Sequence, residues 1–236
     1  MGGGCCGGSC GTGRGASGPG FGGPHFGGPK SRGQADFRRI LGMAFVLNAL
    51  MAAVALGTGI DAQSMALQAL ALVLLANAAN HGASLWLAGR TLDLRAWANL
   101  ARGLLLGGFG LWVLGSALWN AHSGGMSPNP WPMAMVGLMA LSVATAVGMQ
   151  LFAGRRGKPT LRTVWLCVRR DALACLAVAA AAAGVGMTGQ DWPDGLVGAI
   201  IAGLSLPAAG ATVRQAVAEL RAYHGSPSAP ASGEGA

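Results

Sequence analysis

The chain reads as an all-α, polytopic membrane protein of six transmembrane helices with both termini in the cytoplasm. Three observations predict that class. Hydrophobic residues fill 52% of the 236 positions and charged residues only 10%, against roughly 25% charged in a soluble domain. A surface so poor in charge has to be covered by lipid. Six stretches reach the roughly 20 mostly apolar residues that a bilayer crossing needs: 40–60, 64–89, 97–120, 131–154, 163–187 and 195 to about 213. Finally, lysine and arginine occur in every second connection and are missing from the others.

Taken in order, the first span is preceded by Arg14, Lys30, Arg32, Arg38 and Arg39, and the turn after it, around Asp61, has no basic residue. The second span begins at Ser64 and is followed by Arg90 and Arg95. Gly103, Gly107, Gly110 and Gly115 lie on the third, where small residues let helices approach closely. The loop after it, around His122, again lacks lysine and arginine, whereas the fourth span runs into Arg155, Arg156, Lys158 and Arg162. Alanines crowd the fifth span for the same packing reason as the glycines. The loop holding Asp191 and Asp194 has no basic residue, and Arg214 and Arg221 follow span six. Trp86, Trp112, Trp119 and Trp131 lie mostly near span ends, as interfacial anchors do. Short cytoplasmic loops carry the excess of lysine and arginine, so both termini are expected in the cytoplasm. The membrane expected is a bacterial inner membrane.

A net charge of +8 and a pI near 10.3 raise the question of nucleic acid. The basic residues flank apolar spans and form no dense stripe with interleaved aromatics, so no nucleic-acid partner is expected. Residues 1–36, rich in glycine, have little to bury and are expected to be a disordered cytoplasmic tail. Residues 37–220 form the membrane domain, and 221–236 a second disordered tail. The first tail holds Cys5, Cys6, Cys10 and His25. Together these could weakly hold a soft cation, but no Cys-x-x-Cys pair preorganises them. No basic segment leads into an apolar core at the start, so no secretory signal is expected. The glycine runs match neither a phosphate-binding loop nor a dinucleotide fingerprint.

Asp171 is the residue that most needs an explanation. It lies inside the fifth apolar span, where an ionised carboxylate persists only when paired, hydrated or coordinating a cation. On a helix, Cys167, Asp171 and Cys175 fall at i, i+4 and i+8, one face with one hard and two soft ligand atoms. Two readings stand side by side: Asp171 as a cation ligand, or as half of an ion pair with an arginine such as Arg102. Cys175 has the alternative of being a small apolar residue in a packed helix.

The layout resembles the transmembrane domain of the cation diffusion facilitator family. The run WLCVRRDAL at 165–173 is similar to the start of that family's fifth helix in a short branch, where a Cys and an Asp stand four apart. DWPDGLVGAIIAGL at 191–204 and ATVRQAVAEL at 211–220 resemble the two ends of its sixth helix. LARGLLLGGFGLWVLGSALW at 100–119 resembles the third, and Asn48 stands for the family's asparagine in the first. The resemblance covers roughly 37–220 and implies a short form lacking the family's cytoplasmic C-terminal domain. It also implies a pair of ligands four apart on helix two, after a Ser-x-Ala-Leu start. Ser64, Ala66 and Leu67 match that start, and counting on places the pair at Val73 and Asn77. Valine cannot bind a metal, and asparagine offers a neutral oxygen. His81, one turn beyond Asn77 on the same face, suggests a displaced four-ligand site of Asn77, His81, Cys167 and Asp171. The alternative for His81 is an interfacial histidine bonded to backbone or headgroups.

The resemblance implies a transporter that exports a divalent metal cation (zinc favoured, cobalt or cadmium otherwise) in exchange for protons, through helices rocking about a midplane site. Its expected partners are the lipid bilayer, the metal, protons and a second subunit in a homodimer or heterodimer. No cofactor is expected, and the metal is cargo. A different class stays open beside this one: a transport-inactive member acting as a regulatory partner, motivated by Val73 and Asn77. Enzymatic use of Cys167 and Asp171 lacks a histidine base at defined spacing, so no enzyme is expected.

Overall fold

The computed structural model describes residues 30–86, 92–124, 127–154 and 161–225; for 30–37, 92, 151–154, 161–168 and 224–225 it describes the backbone alone. The glycine-rich stretch 1–29 with Cys5, Cys6, Cys10 and His25, and the end of the chain at 226–236, lie outside the described residues. Six helices follow one another: α1 (Lys30–Asp61), α2 (Met65–Trp86), α3 (Leu92–Ser123), α4 (Pro130–Gly154), α5 (Leu161–Thr188) and α6 (Trp192–Gly225). Each contains a stretch long and apolar enough to cross a membrane. The protein is thus an all-helical, multi-pass membrane protein among its described residues.

Helices α1, α3 and α6, at 32, 32 and 34 residues, outrun the apolar stretches that announce them. Hydropathy marks where the hydrocarbon ends, whereas a helix ends only where its backbone hydrogen bonds stop. Tight turns join α1 to α2 and α5 to α6. Gln63 adopts the left-handed conformation (φ 56°) between α1 and α2, and its side-chain amide donates to the Ile60 carbonyl at 3.0 Å. Gly189 (φ 66°) ends α5, its N–H closing on the Val185 carbonyl at 2.8 Å, the place where glycine escapes the Cβ penalty. Pro130 opens α4, and Asn129 caps it by accepting from the Trp131 N–H at 3.1 Å.

The packing inverts the size pattern of a soluble core. The buried interior is built largely from small residues, among them Ala44, Ala55, Ala66, Ala69, Ala140, Ala181 and Ala202. Large apolar side chains such as Leu105, Leu111, Trp112, Trp119, Trp131 and Met187 face outward. Lipid tails are as apolar as leucine, so helices associate through close fit, and the largest fully buried side chains, Leu67, Leu70, Leu72 and Leu74, belong to the central helix α2. Helix α2 is the centre of this arrangement. Of its apolar window 56% is buried, against 17% for α3 and α6, and it touches all five other helices. Around it α1 packs on α2, α4 on α5, and α3 on α6.

Three of the four glycines expected to bring helices together on α3 do so. A Cβ on Gly103 would lie 2.7 Å from Val213 Cγ2, one on Gly107 3.6 Å from Ala209 Cβ, and one on Gly110 3.2 Å from a Leu72 methyl. Gly115 departs from the expectation: a Cβ there would meet nothing within 4 Å.

Candidate functional site

Asn77 and Asp171, read from different spans, meet. The Asn77 Nδ2 donates to Asp171 Oδ2 at 2.9 Å, joining α2 to α5 inside the bundle. Asn77 stands 12 residues into α2, about 18 Å along the axis, close to the middle of a core roughly 30 Å thick. An ionised carboxylate only accepts, so the Asn77 nitrogen faces it and Oδ1 is turned away.

His81 follows one turn along α2 and is 9% exposed. Cys175, one turn along α5 from Asp171 in the other direction, is 1% exposed and part of the apolar core beside Val178 and Val185. Cys167 lies on the backbone of α5 four residues before Asp171, with its side chain outside the described residues. Val73 packs against the core cluster as an ordinary apolar residue. Among the described residues no group of three or more His, Cys, Asp and Glu side chains is arranged to hold a metal ion.

A second polar link lies one turn further along α2. Arg102 of α3, the arginine weighed as an ion-pair partner for Asp171, donates through Nη1 to Asn80 Oδ1. Arg170, next to Asp171, is exposed and reaches the Leu204 carbonyl at 3.5 Å. That carbonyl lies in the turn of α6 preceding Pro207, whose missing N–H and bulky ring loosen the backbone ladder there. Asn77 and Asn80 therefore tie the central helix to α5 and to α3 respectively.

The most heavily bonded acid among the described residues was not anticipated as part of any site. Asp194, expected in a loop, belongs to the first turn of α6 and is only 2% exposed. Its Oδ1 accepts from the Ser64 hydroxyl at 2.6 Å and the Ala66 N–H at 3.2 Å, and its Oδ2 from the Met65 N–H at 2.6 Å. Ser64 Oγ in turn accepts from the Leu67 N–H at 3.1 Å. The start of α2 is thus capped jointly by its own serine and by an aspartate from another helix, satisfying donors that a helix beginning leaves open. Backbones approach closely beside it, and a Cβ on Gly198 would lie 2.8 Å from the Met65 carbonyl carbon. A serine before an apolar run signals a cap, but nothing local to Ser64 names a partner 130 residues away.

Five membrane-spanning helices packed about a central sixth, with a carboxylate of one held by an amide of another, make a multi-pass membrane bundle rather than a soluble binder. The cation efflux transmembrane domain matches residues 41–221, and the chain belongs to that family of metal cation transporters. No match was found among curated proteins.

Proposed function

We propose that this protein exports a divalent metal cation, with zinc the first candidate and cobalt or cadmium the others, in exchange for protons across a bacterial inner membrane. Both termini face the cytoplasm on this reading. The observation that carries it is the Asn77–Asp171 bond between α2 and α5. The count from Ser64 puts a family ligand position at Asn77, and its partner in space is the one carboxylate of the fifth span.

The Asn77 amide satisfies one oxygen of Asp171. Half a turn of the Asn77 amide about its last side-chain bond exchanges nitrogen for oxygen. The pair then changes from donor and acceptor into two oxygen ligands. His81 and Cys167, each one turn away along its own helix, supply the nitrogen and sulfur that favour zinc. Ligands must be deprotonated to bind, so proton uptake by Asp171 and Cys167 releases the cation, and the exchange follows from that linkage. Rocking of α5 against α2 opens the pair to each side in turn.

A specific observation supports a second reading. Val73 is an apolar residue packed into the core, and half of the family's ligand pair is missing with it. On that reading the chain keeps the fold and acts as an inactive partner in a dimer. Zinc uptake into proteoliposomes, with and without an imposed pH gradient, separates the two. Uptake that depends on the gradient and vanishes in Asp171→Ala supports export by proton exchange. Gradient-independent leakage, equal in wild type and variant, supports the inactive partner.

A further inference from the structure

Helices α3 and α6 flank a shallow, open groove on the outside of the bundle. It holds about 550 Å³ between Gly107 and Gly108 on one side and Leu206 and Gly210 on the other. Two of these glycines are not required by helix contact: a Cβ on Gly108 or on Gly210 would meet nothing within 4 Å. Glycine is disfavoured inside helices, and here its effect is to keep a concavity open. Towards the end of α6 the groove continues into a second hollow of about 510 Å³ lined by Val217, Ala218 and Arg221, the two sharing Val213 and Arg214.

The mouth of this groove is cationic. Arg214 and Arg221 are both exposed and fall at i and i+7, on one face of α6. The acid of that segment, Glu219, points to another face, where Gln215 Nε2 holds its carboxylate at 2.9 Å. Counted from Trp192, the beginning of α6, a core roughly 30 Å thick ends about 20 residues on, near Arg214. Arg221 then stands about 10 Å further out, within the headgroup layer. From Leu206 to Arg214 the groove runs about 12 Å, most of one leaflet's apolar depth. A second copy seated here by twofold symmetry would bring its own arginines to the same mouth, so like charges disfavour it.

We propose that the α3–α6 groove binds an anionic phospholipid, one acyl chain lying over Gly108 and Gly210 and the phosphate meeting Arg214 and Arg221. A neutral lipid fits the apolar floor equally well, and the two guanidinium groups supply the preference for the anionic one.

The test is lipid retention by the full-length chain, read by native mass spectrometry with phosphatidylglycerol and phosphatidylcholine of matched acyl chains. The wild type should retain phosphatidylglycerol preferentially, by roughly tenfold, given two arginines at the headgroup layer. The Arg214→Gln, Arg221→Gln double variant should lose that preference while still holding either lipid weakly. Gly210→Leu, whose added side chain enters open space, should fill the floor and reduce retention of both lipids. Equal retention of the two lipids by the wild type overturns the proposal without any variant, as does an undiminished preference in the double arginine variant. An undiminished retention in a folded Gly210→Leu protein places the lipid elsewhere and overturns it too.

Discussion

Asn77 gives Asp171 what a second carboxylate could not: a partner that needs no cation to be present. Two carboxylates facing each other in hydrocarbon repel unless a cation or proton lies between them, whereas the amide satisfies one of them at 2.9 Å. Asn77→Asp should therefore make the protein depend on metal. Its melting temperature should fall in chelator and recover on adding zinc, whereas wild type responds less. Rebuilding both positions of the family pair, with Val73→Asp added, should raise zinc or cobalt transport above wild type in proteoliposomes. His81→Ala should weaken zinc binding by an order of magnitude or more, equivalent to about 1.4 kcal/mol, when measured by competition with a zinc dye. At this scale the sequence exposed Asp171 by its oddity, a carboxylate in an apolar span, and Asn77 by counting from Ser64. The direction of the Asn77 amide was not legible, because it depends on which atom of α5 lies opposite. Asp194 stayed hidden for a related reason: an acid near a predicted loop looks solvated until the other helix is placed beside it.

Among the elements α2 carries the argument, and its position is fixed mainly at the end away from the arginines. Ser64 and Asp194 cap it there, Gly198 lets α6 approach the Met65 backbone, and the Gln68 side-chain amide donates to the Gly59 carbonyl of α1 at 3.4 Å. Asp194→Ala leaves a buried hydroxyl and two backbone N–H groups without their acceptor. The cost expected is roughly 2–3 kcal/mol, seen as a lower melting temperature and lower yield. Asp194→Asn keeps one acceptor and should lose less. If Asp194 were instead a metal ligand, both substitutions would abolish cation binding with the fold intact. Gly198→Val should be more damaging still, since its side chain would have to displace backbone rather than a flexible group. Helix order and existence were legible from apolar length alone. Helix ends were not, because α1, α3 and α6 continue as helices beyond the hydrocarbon edge that hydropathy detects.

For the whole molecule, the six-helix class followed from composition and was the firmest inference, since lipid imposes helical closure on every buried peptide group. Which face meets the cytoplasm rests on charge placement. Ser123→Cys and Gln190→Cys should react with an impermeant thiol reagent on intact cells, and the native Cys5, Cys6 and Cys10 should not; the reverse pattern would invert the orientation. Export through this bundle requires that the α2–α5 pair hold the cargo. The most direct measurement is a cobalt(II) titration of the purified protein followed by visible absorption, where ligand-field bands report the coordinating atoms. Wild type should show one saturable site per chain, and Asp171→Ala should lose it while still folded by circular dichroism. A saturable cobalt spectrum unchanged by Asp171→Ala would contradict this role for the pair, and so would no site at all in the wild type.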